Sequence, residues 1–383
     1  MKKMTFKLTF LILIILTAFI SYFFSITNNV NQIPSDNGEL IDTITISAVG
    51  DLMCHTPQIR DAKLSNGSFD FSHMFYFVKP ILEQSDITIG NLETVLAGSE
   101  KKFSGYPLFN SPDEFALAIK EAGFDLLVTS NNHCLDRGFY GLERTIKILD
   151  SLGIKHSGTY ITDEEAEKIL TLEIKNIKMA FLSYTYGTNG IPTPKGKEFC
   201  VSLIDTTKIK SDIQKAKQLN VDKIIVYLHW GSEYQRFPNS SQKKLADFLF
   251  DNGVDVILGS HPHVIQPSEF KALIDTLGNE KKVFVVYSMG NFISNQRKRF
   301  TDSGVIVHLK FVKNFSTNQT YIDTVTFTPT YVSKVNGRFR IIPVKEALQK
   351  LERNDSLWIN LFSSEEKKLS RVLNDFENHI WMK

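Results

Sequence analysis

Short β-branched and apolar runs alternate with amphipathic stretches from about Thr43 onward, a pattern typical of strands and helices packed in layers. The runs predicted to form strands are ITISAV (44–49), DITI (86–89), DLLVTS (125–130), KMAFLSY (178–184), KIIVYL (223–228), DVIL (255–258) and VFVVYS (283–288). Residues 111–114 have the sequence of a helix capping box. Three glycines stand where helices are expected to end: Gly123, Gly153 and Gly253. The pattern therefore predicts the α/β class.

The pattern changes after about Asp302, where strands are expected to follow one another. Asn336-Gly337 is a hairpin-turn sequence, and a helix is expected from about Ser363. We divide the chain into a cytoplasmic N-terminus, a transmembrane anchor, a linker, a main domain and a C-terminal helical extension: 1–7, 8–26, 27–42, 43–345 and 346–383.

The first predicted helix, residues 8–26, carries no charge and would span roughly 28 Å, close to the apolar thickness of a bilayer. Lys2, Lys3 and Lys7 precede it, so the positive-inside rule keeps the N-terminus cytoplasmic and places the main domain outside. The sequence therefore predicts a single-pass protein of the cell membrane. A cleaved signal peptide is the alternative, although its apolar core is usually shorter.

Composition narrows the function classes. The chain has 383 residues, of which 42% are hydrophobic and 22% charged, the balance of a globular protein. Its formal charge of +2 excludes a general nucleic-acid binder. Three cysteines are too few for a disulfide framework and lack the paired spacing of a structural zinc site.

Polar side chains follow nearly every predicted strand. Because the carboxyl ends of strands line the ligand crevice in open α/β sheets, these clusters are expected to converge. Carboxylate, amide and imidazole ligands suit manganese, iron or zinc. The sequence therefore predicts a site for one or two divalent ions, with these candidate ligands: Asp51, Glu93, Asn132, His229, His261 and His263.

Six motifs resemble the CapA family of capsule biosynthesis proteins: GD (50–51), GNLE (90–93), NNHCLDRG (131–138), HWGSEY (229–234), GSHPHVIQP (259–267) and YSMGNF (287–292). That family belongs to the calcineurin-like metallophosphoesterase superfamily and is associated with poly-γ-glutamate synthesis and export. The resemblance implies a four-layer α/β/β/α sandwich of the metallophosphoesterase type, here preceded by one transmembrane helix. It places the site at the edge between the two sheets.

The resemblance also implies roles for single residues. Asp51 resembles the ligand of the first metal, Glu93 stands at the bridging position, and Asn132 with His133 resembles an Asn-His pair that supplies a second-metal ligand and a catalytic acid. His229 and His261 would complete the second site, and His263 would serve the first. The chain departs from the superfamily at Met53, where a histidine ligand is expected, and His55 is the residue that would compensate.

Two functions follow from these expectations. In the first, the chain takes part in synthesis or export of a capsule polymer, with the cell membrane, other subunits of a synthase or exporter, and the anionic polymer as partners. In the second, it is a metal-dependent hydrolase or transferase acting on a phosphoester or acyl group of the cell envelope. His133 would then protonate the leaving group, oriented by Asp136. The predicted substrate-binding residues are Arg137, Glu233 and Asn291.

Overall fold

The computed structural model describes residues 33–34, 40–274 and 280–381. The predicted anchor, residues 8–26, and most of the predicted linker lie outside these ranges. Within them, every helix is too short or too polar to cross a bilayer.

The strands belong to two sheets. They are β1 Ile33–Pro34, β2 Leu40–Leu52, β3 Ile87–Leu92, β4 Leu126–Val128, β5 Lys155–Ser157, β6 Leu170–Ile174, β7 Ile177–Thr185, β8 Lys223–His229, β9 Val256–Ser260, β10 Ile265–Ile274, β11 Glu280–Met289, β12 Asn291–Ile293, β13 Ser303–Asn314, β14 Gln319–Val335 and β15 Arg338–Pro343.

The first sheet has the order β15-β14-β13-β2-β3-β4-β5, with β1 and β12 also pairing with β2. The second has the order β10-β11-β9-β8-β7-β6. Strands β2 to β5 run parallel to one another, and so do β7, β8, β9 and β11. Within each sheet, the loops that follow these strands therefore leave from one edge.

Helices connect and cover the strands. They are α1 Thr56–Ala62, α2 Ser72–Phe75, α3 Lys79–Leu82, α4 Asp113–Glu121, α5 Gly138–Ser151, α6 Asp163–Ala166, α7 Thr206–Gln218, α8 Ser240–Asp251, α9 Val344–Glu352, α10 Ser356–Phe362 and α11 Glu366–Glu377. Three short 3₁₀ helices occupy Ser99–Lys101, Glu198–Cys200 and Ser363–Glu365.

The apolar core is divided by the two sheets. Leu126 of β4 joins a cluster shared by both sheets, whereas its neighbour Leu127 joins Phe115 of α4 in another cluster. On the second sheet, Val226 of β8 packs with Leu249 of α8. Because successive strand residues point to opposite faces, the two sheets pack face to face, with α4 and α8 on their outer faces.

These elements confirm the predicted α/β class with two sheets, and each predicted apolar run lies on a strand. The hairpin at Asn336-Gly337 is also confirmed, between β14 and β15. The prediction of a capping box at residues 111–114 was wrong. Helix α4 begins at Asp113 after Pro112, and the Ser111 hydroxyl bonds to Thr94 Oγ1 at 2.7 Å and not to the start of the helix. A hydroxyl partner in the core therefore takes the place of the helix cap.

Candidate metal centre

Three polar residues lie side by side on adjacent parallel strands. Asp51 of β2 is in register with Asn91 of β3 on one side and Asn291 of β12 on the other. The strands approach closely because Gly50 has no side chain: a Cβ there would lie 1.9 Å from the Gly290 carbonyl oxygen. Gly290 itself has a φ of +69°, which favours glycine.

Asp51 is fully buried and held by donors. Its Oδ1 accepts a hydrogen bond from Asn91 Nδ2 at 2.8 Å, and its Oδ2 accepts from His263 Nδ1 at 3.1 Å. Burial alone would raise the pKa of the Asp51 carboxyl, but the hydrogen bonds from His263 and Asn91 hold this pKa below its usual range. Asp51 is therefore a carboxylate at neutral pH.

Glu93 follows β3 and is the least satisfied polar group of the site. Within the described part of the chain, neither of its buried carboxylate oxygens has a hydrogen-bond partner. Its Oε1 lies 3.8 Å from both His229 Nε2 and His263 Nε2. Burial, and then the charge of Asp51, raise the pKa of Glu93 well above its ordinary value. Two carboxyl groups facing imidazole nitrogens fit a divalent cation, which would satisfy both oxygens.

His229 ends β8 and is fully buried. Its Nε2 lies 2.8 Å from Asn132 Oδ1, and its Nδ1 lies 3.0 Å from Ser260 Oγ. Since an amide oxygen only accepts, the ring proton is assigned to Nε2. When Nε2 is a metal ligand the proton lies on Nδ1, which then donates a hydrogen bond to Ser260 Oγ. Burial, and then the neighbouring His261, lower the pKa of His229 well below its ordinary value. The ring is therefore neutral, as metal binding requires.

The His-Pro-His turn brings two more imidazoles to the site. His261 and His263 both have left-handed backbone conformations, with φ of +94° and +58°. Such residues cost roughly 1–3 kcal/mol each and persist where the surroundings enforce them. Among the described residues His261 Nδ1 is buried without a partner, and burial followed by His263 lowers the pKa of His261 to about 4. The fold thus enforces an uncommon backbone conformation at both histidines.

Ligand atoms fall into two groups, each with its atoms within 4.8 Å of one another: Asp51, Glu93 and His229; and Glu233, His261 and His263. The structure therefore brings together five of the six predicted ligands within these groups. The sixth, Asn132, touches His229.

A histidine-aspartate pair lies beside these groups. His133 Nδ1 is 2.7 Å from Asp136 Oδ2, which also accepts the backbone N–H of Phe109 at 2.6 Å. Asn131 Oδ1 accepts the backbone N–H of His133, and Asn131 Nδ2 donates to Asn91 Oδ1. The pair is thus linked to the ligand groups through two buried amides. Asp136 fixes the ring so that Nδ1 carries a proton and Nε2 can exchange one.

Residues 45–296 match the family described as "Bacterial capsule synthesis protein PGA_cap". The chain belongs to this family. Capsule biosynthesis protein CapA of Bacillus anthracis is 29% identical over 278 residues, which cover 70% of this chain and 64% of that protein. PGA biosynthesis protein CapA of Bacillus subtilis (strain 168) is 26% identical over 358 residues, which cover 89% of this chain and 80% of that protein. Against the first relative, the chain thus spans less than two thirds of its length.

Two solved structures are similar to this member of the capsule synthesis family. NAD nucleotidase of Haemophilus influenzae has a TM-score of 0.47 and 14% identity, covering 88% of this chain and 60% of that one. A calcineurin-like phosphoesterase of Bacillus subtilis has a TM-score of 0.42 and 14% identity, covering 75% of this chain and 90% of that one.

The predicted substrate-binding residues occupy three different settings in this capsule synthesis family member. The Arg137 guanidinium donates to Ser104 Oγ and the Leu108 carbonyl, so it holds the neighbouring loop. Asn291 is buried, and its Oδ1 lies 3.1 Å from His263 Nδ1. Glu233 is exposed and belongs to the second ligand group. Their roles toward a substrate stay predictions, and Asn291 acts on the site through His263.

Sequence reasoning missed Asn91, Asn131 and Ser260, which hold the ligands in place. A signal existed for Asn91: it precedes Glu93 by two positions, and residues two apart share a face of a strand. His55, the predicted substitute for the ligand missing at Met53, accepts the backbone N–H of Asn295 through Nδ1 at 3.2 Å. Burial is the main cause that lowers the pKa of His55 to about 4.

Proposed function

We propose that this chain takes part in synthesis or export of a capsule polymer of the poly-γ-glutamate kind, and that its buried site acts there as a metal-dependent hydrolase or transferase. Family membership supports the first part. Glu93 carries the second, since a buried carboxylate without a donor, beside two imidazole nitrogens, is stabilised by a cation.

Asp51, Glu93 and His229 would hold one ion, and Glu233, His261 and His263 a second. This division differs from the expected one, which placed His263 with Asp51 and His261 with His229. Manganese, iron and zinc fit this donor set of carboxylates and imidazoles. When bound, such an ion supplies a Lewis acid that stabilises negative charge developing on a phosphoryl or acyl group.

The chain's own residues supply the proton and the orientation. His133 would give a proton from Nε2 to the leaving group, while Asp136 holds the opposite ring nitrogen at 2.7 Å. Asn291 and Asp51 fix the ring of His263 from its Nδ1 side, so that Nε2 is directed toward Glu93. Burial of these groups limits how many water molecules can reach the site.

A non-hydrolytic accessory subunit is the second candidate. Both oxygens of Asp51 already accept protein hydrogen bonds, and Met53 is buried where the superfamily pattern has a histidine. Weaker metal binding at the Asp51 position would reduce catalysis by the chain more than it would reduce binding of polymer or partner subunits. The chain would then hold polymer or other subunits of a synthase or exporter, tethered to the membrane by residues 8–26.

Metal analysis of the purified full chain tests the site. We expect bound manganese, iron or zinc in the unaltered protein and much less in the Asp51→Ala and His263→Ala variants. A metal content unchanged by both substitutions would overturn the assignment of the centre.

Turnover separates the two candidates. We expect the metal-loaded chain to hydrolyse bis(4-nitrophenyl) phosphate, and the His133→Ala variant to keep its metal but lose this activity. Metal binding without turnover under manganese, iron and zinc would contradict the enzyme and favour the accessory subunit.

A further inference from the structure

Three cations gather outside the ligand groups: Arg236, which follows β8, and Lys298 and Arg299, which follow β12. We call them the cationic rim. Within the described part of the chain none of the three forms a direct ion pair with a carboxylate, although the charge of Asp375 acts on Arg236 from farther away. Lys298 and Arg299 are exposed, and Arg236 is half-buried.

The cationic rim lies beside the metal centre. The Lys298 ammonium is 3.7 Å from the centroid of the Tyr234 ring, which in turn is 6.2 Å from that of His263. The loop that carries Lys298 also contacts the site through Gln296, whose Oε1 accepts a hydrogen bond from Asn291 Nδ2 at 3.1 Å. A molecule that covers the cationic rim is therefore adjacent to the ligand groups.

The cationic rim is held by the fold in an arrangement that an anion would stabilise. The guanidinium carbons of Arg236 and Arg299 lie 3.9 and 4.6 Å from the centroid of one ring, Phe300. Two like charges on one ring repel each other, and Arg236 Nε is buried without a partner among the described residues. The Arg236 carbonyl accepts His379 Nε2 at 2.7 Å, and the Lys298 carbonyl accepts Thr301 Oγ1 at 2.8 Å. These bonds hold the backbone of both loops in place, so the loops themselves need little ordering before an anion binds.

We propose that the cationic rim binds an extended polycarboxylate chain and guides it to the metal centre. Guanidinium groups pair with carboxylates through two parallel hydrogen bonds, and a lysine adds a point charge. Three cations on two loops can each meet a different carboxylate of a polymer with repeated anionic groups. The choice of carboxylate rests on the proposed function.

The test measures binding of fluorescein-labelled poly-L-glutamate to the purified full chain by fluorescence anisotropy. The double variant Lys298→Ala/Arg299→Ala is compared with Lys210→Ala/Lys217→Ala, which removes the same charge from exposed positions on α7. We expect about fivefold weaker binding in the first variant and none of this loss in the second. Added salt should weaken binding by the unaltered chain. Thermal unfolding of both variants checks that they are folded.

Equal binding by the two double variants would overturn the inference, and so would tighter binding of inorganic polyphosphate than of poly-L-glutamate at matched charge. A Glu93→Gln variant separates this inference from the proposed function. We expect it to lose metal but to keep poly-L-glutamate binding. Polymer binding that depends on Glu93 and not on Lys298 and Arg299 would mean that the anion binds the metal, which would contradict the role of the cationic rim.

Discussion

At the scale of single residues, Glu93 and Asp51 show how neighbouring carboxyl groups can be set apart by their donors. Asp51 accepts hydrogen bonds from Asn91 and His263, which outweigh the effect of burial on its pKa. Glu93 is equally buried and lacks such donors within the described residues. At the same depth of burial, Asp51 is therefore charged because of its donors, whereas Glu93 needs a counter-ion to carry a charge.

Replacing Glu93 by glutamine tests whether its carboxylate binds a cation. Glu93→Gln keeps the shape of the side chain but removes the charge, so we expect at least about tenfold weaker metal binding. Titration with manganese or zinc, followed by isothermal calorimetry, measures the affinity. Glu173→Gln, at an exposed position on β6, is the matched control and should bind metal normally. Unchanged affinity in Glu93→Gln would contradict the role of this carboxylate.

Asp136 offers a second test at the residue scale. One oxygen, Asp136 Oδ2, faces both Phe109 N and His133 Nδ1, so in Asp136→Asn the amide oxygen can keep both hydrogen bonds while the negative charge beside the ring is lost. We expect turnover of the phosphodiester to fall by about tenfold or more, with metal content unchanged. Parallel losses of metal and turnover would instead indicate a structural role for the pair.

The sequence predicted the residue types of the site better than their partners. Strand ends indicated where Asp51, Glu93 and His229 would converge, because that rule depends only on chain direction. The pairing of Asn291 with His263 depends on the register of β12 beside β2, which a sequence pattern does not determine. The sequence therefore did not indicate that the Asn291 amide oxygen faces His263, and the predicted role of Asn291 in substrate binding stays a prediction.

At the scale of elements, the contact between β2 and β12 decides where Asp51 lies. A Cβ on Gly50 would collide with the Gly290 carbonyl, so Gly50→Ala must push the two strands apart. We expect the free energy of unfolding to fall by more than about 3 kcal/mol and metal binding to weaken. Gly187→Ala is the control, since a Cβ at Gly187 would meet no atom within 4 Å. Chemical denaturation measures both, and equal stabilities would refute the close-contact argument.

Strand β13 carries a pH-sensitive element away from the site. The His308 ring bonds to Ser47 Oγ on β2 and Thr328 Oγ1 on β14, each at 2.9 Å, and burial lowers the pKa of His308. The unfolded chain therefore binds a proton below pH ~6.5 that the folded chain does not, and stability falls as the pH drops below that value.

His308→Gln should reduce this loss, because glutamine can bond to both hydroxyls without titrating. We expect the unfolding free energy of the unaltered chain to decrease more between pH 7.5 and 5.5 than that of the variant, by at most about 1.4 kcal/mol per pH unit. Urea denaturation at the two pH values measures the difference. Parallel decreases would show that His308 does not contribute.

Helices and strands were predictable from the sequence where the local pattern of apolar and polar residues determines them. The buried run at 223–228 became β8 because a continuous apolar stretch fits a strand covered on both faces. Short strands such as β5 (Lys155–Ser157) have a polar sequence and exist because they pair with β4, a tertiary cause that periodicity does not show. Ser111 likewise found its partner in Thr94 and not in the helix that follows it.

At the scale of the whole molecule, the candidate ligands come from both sheets. Asp51 and Glu93 belong to the first sheet or follow it, and His229 belongs to the second. An ion bound by all three would connect the two sheets at one edge. Binding to the folded state alone would raise stability by about 2.7 kcal/mol when the free ion is at 100 times its dissociation constant.

Thermal unfolding with and without a chelator tests this connection. We expect EDTA to lower the unfolding temperature of the metal-loaded full chain, and to have little effect on the Glu93→Gln variant. A chelator effect of equal size in both proteins would mean that the stabilising ion lies elsewhere.

The hydrogen bond from His379 to the Arg236 carbonyl joins positions 143 residues apart in the chain. During biosynthesis, the segment with Arg236 emerges from the ribosome long before its support at His379 has been translated. The cationic rim can therefore reach its final shape only late, after α11 has folded against the sheets. The surface proposed to bind polymer would therefore be complete only after translation has passed His379.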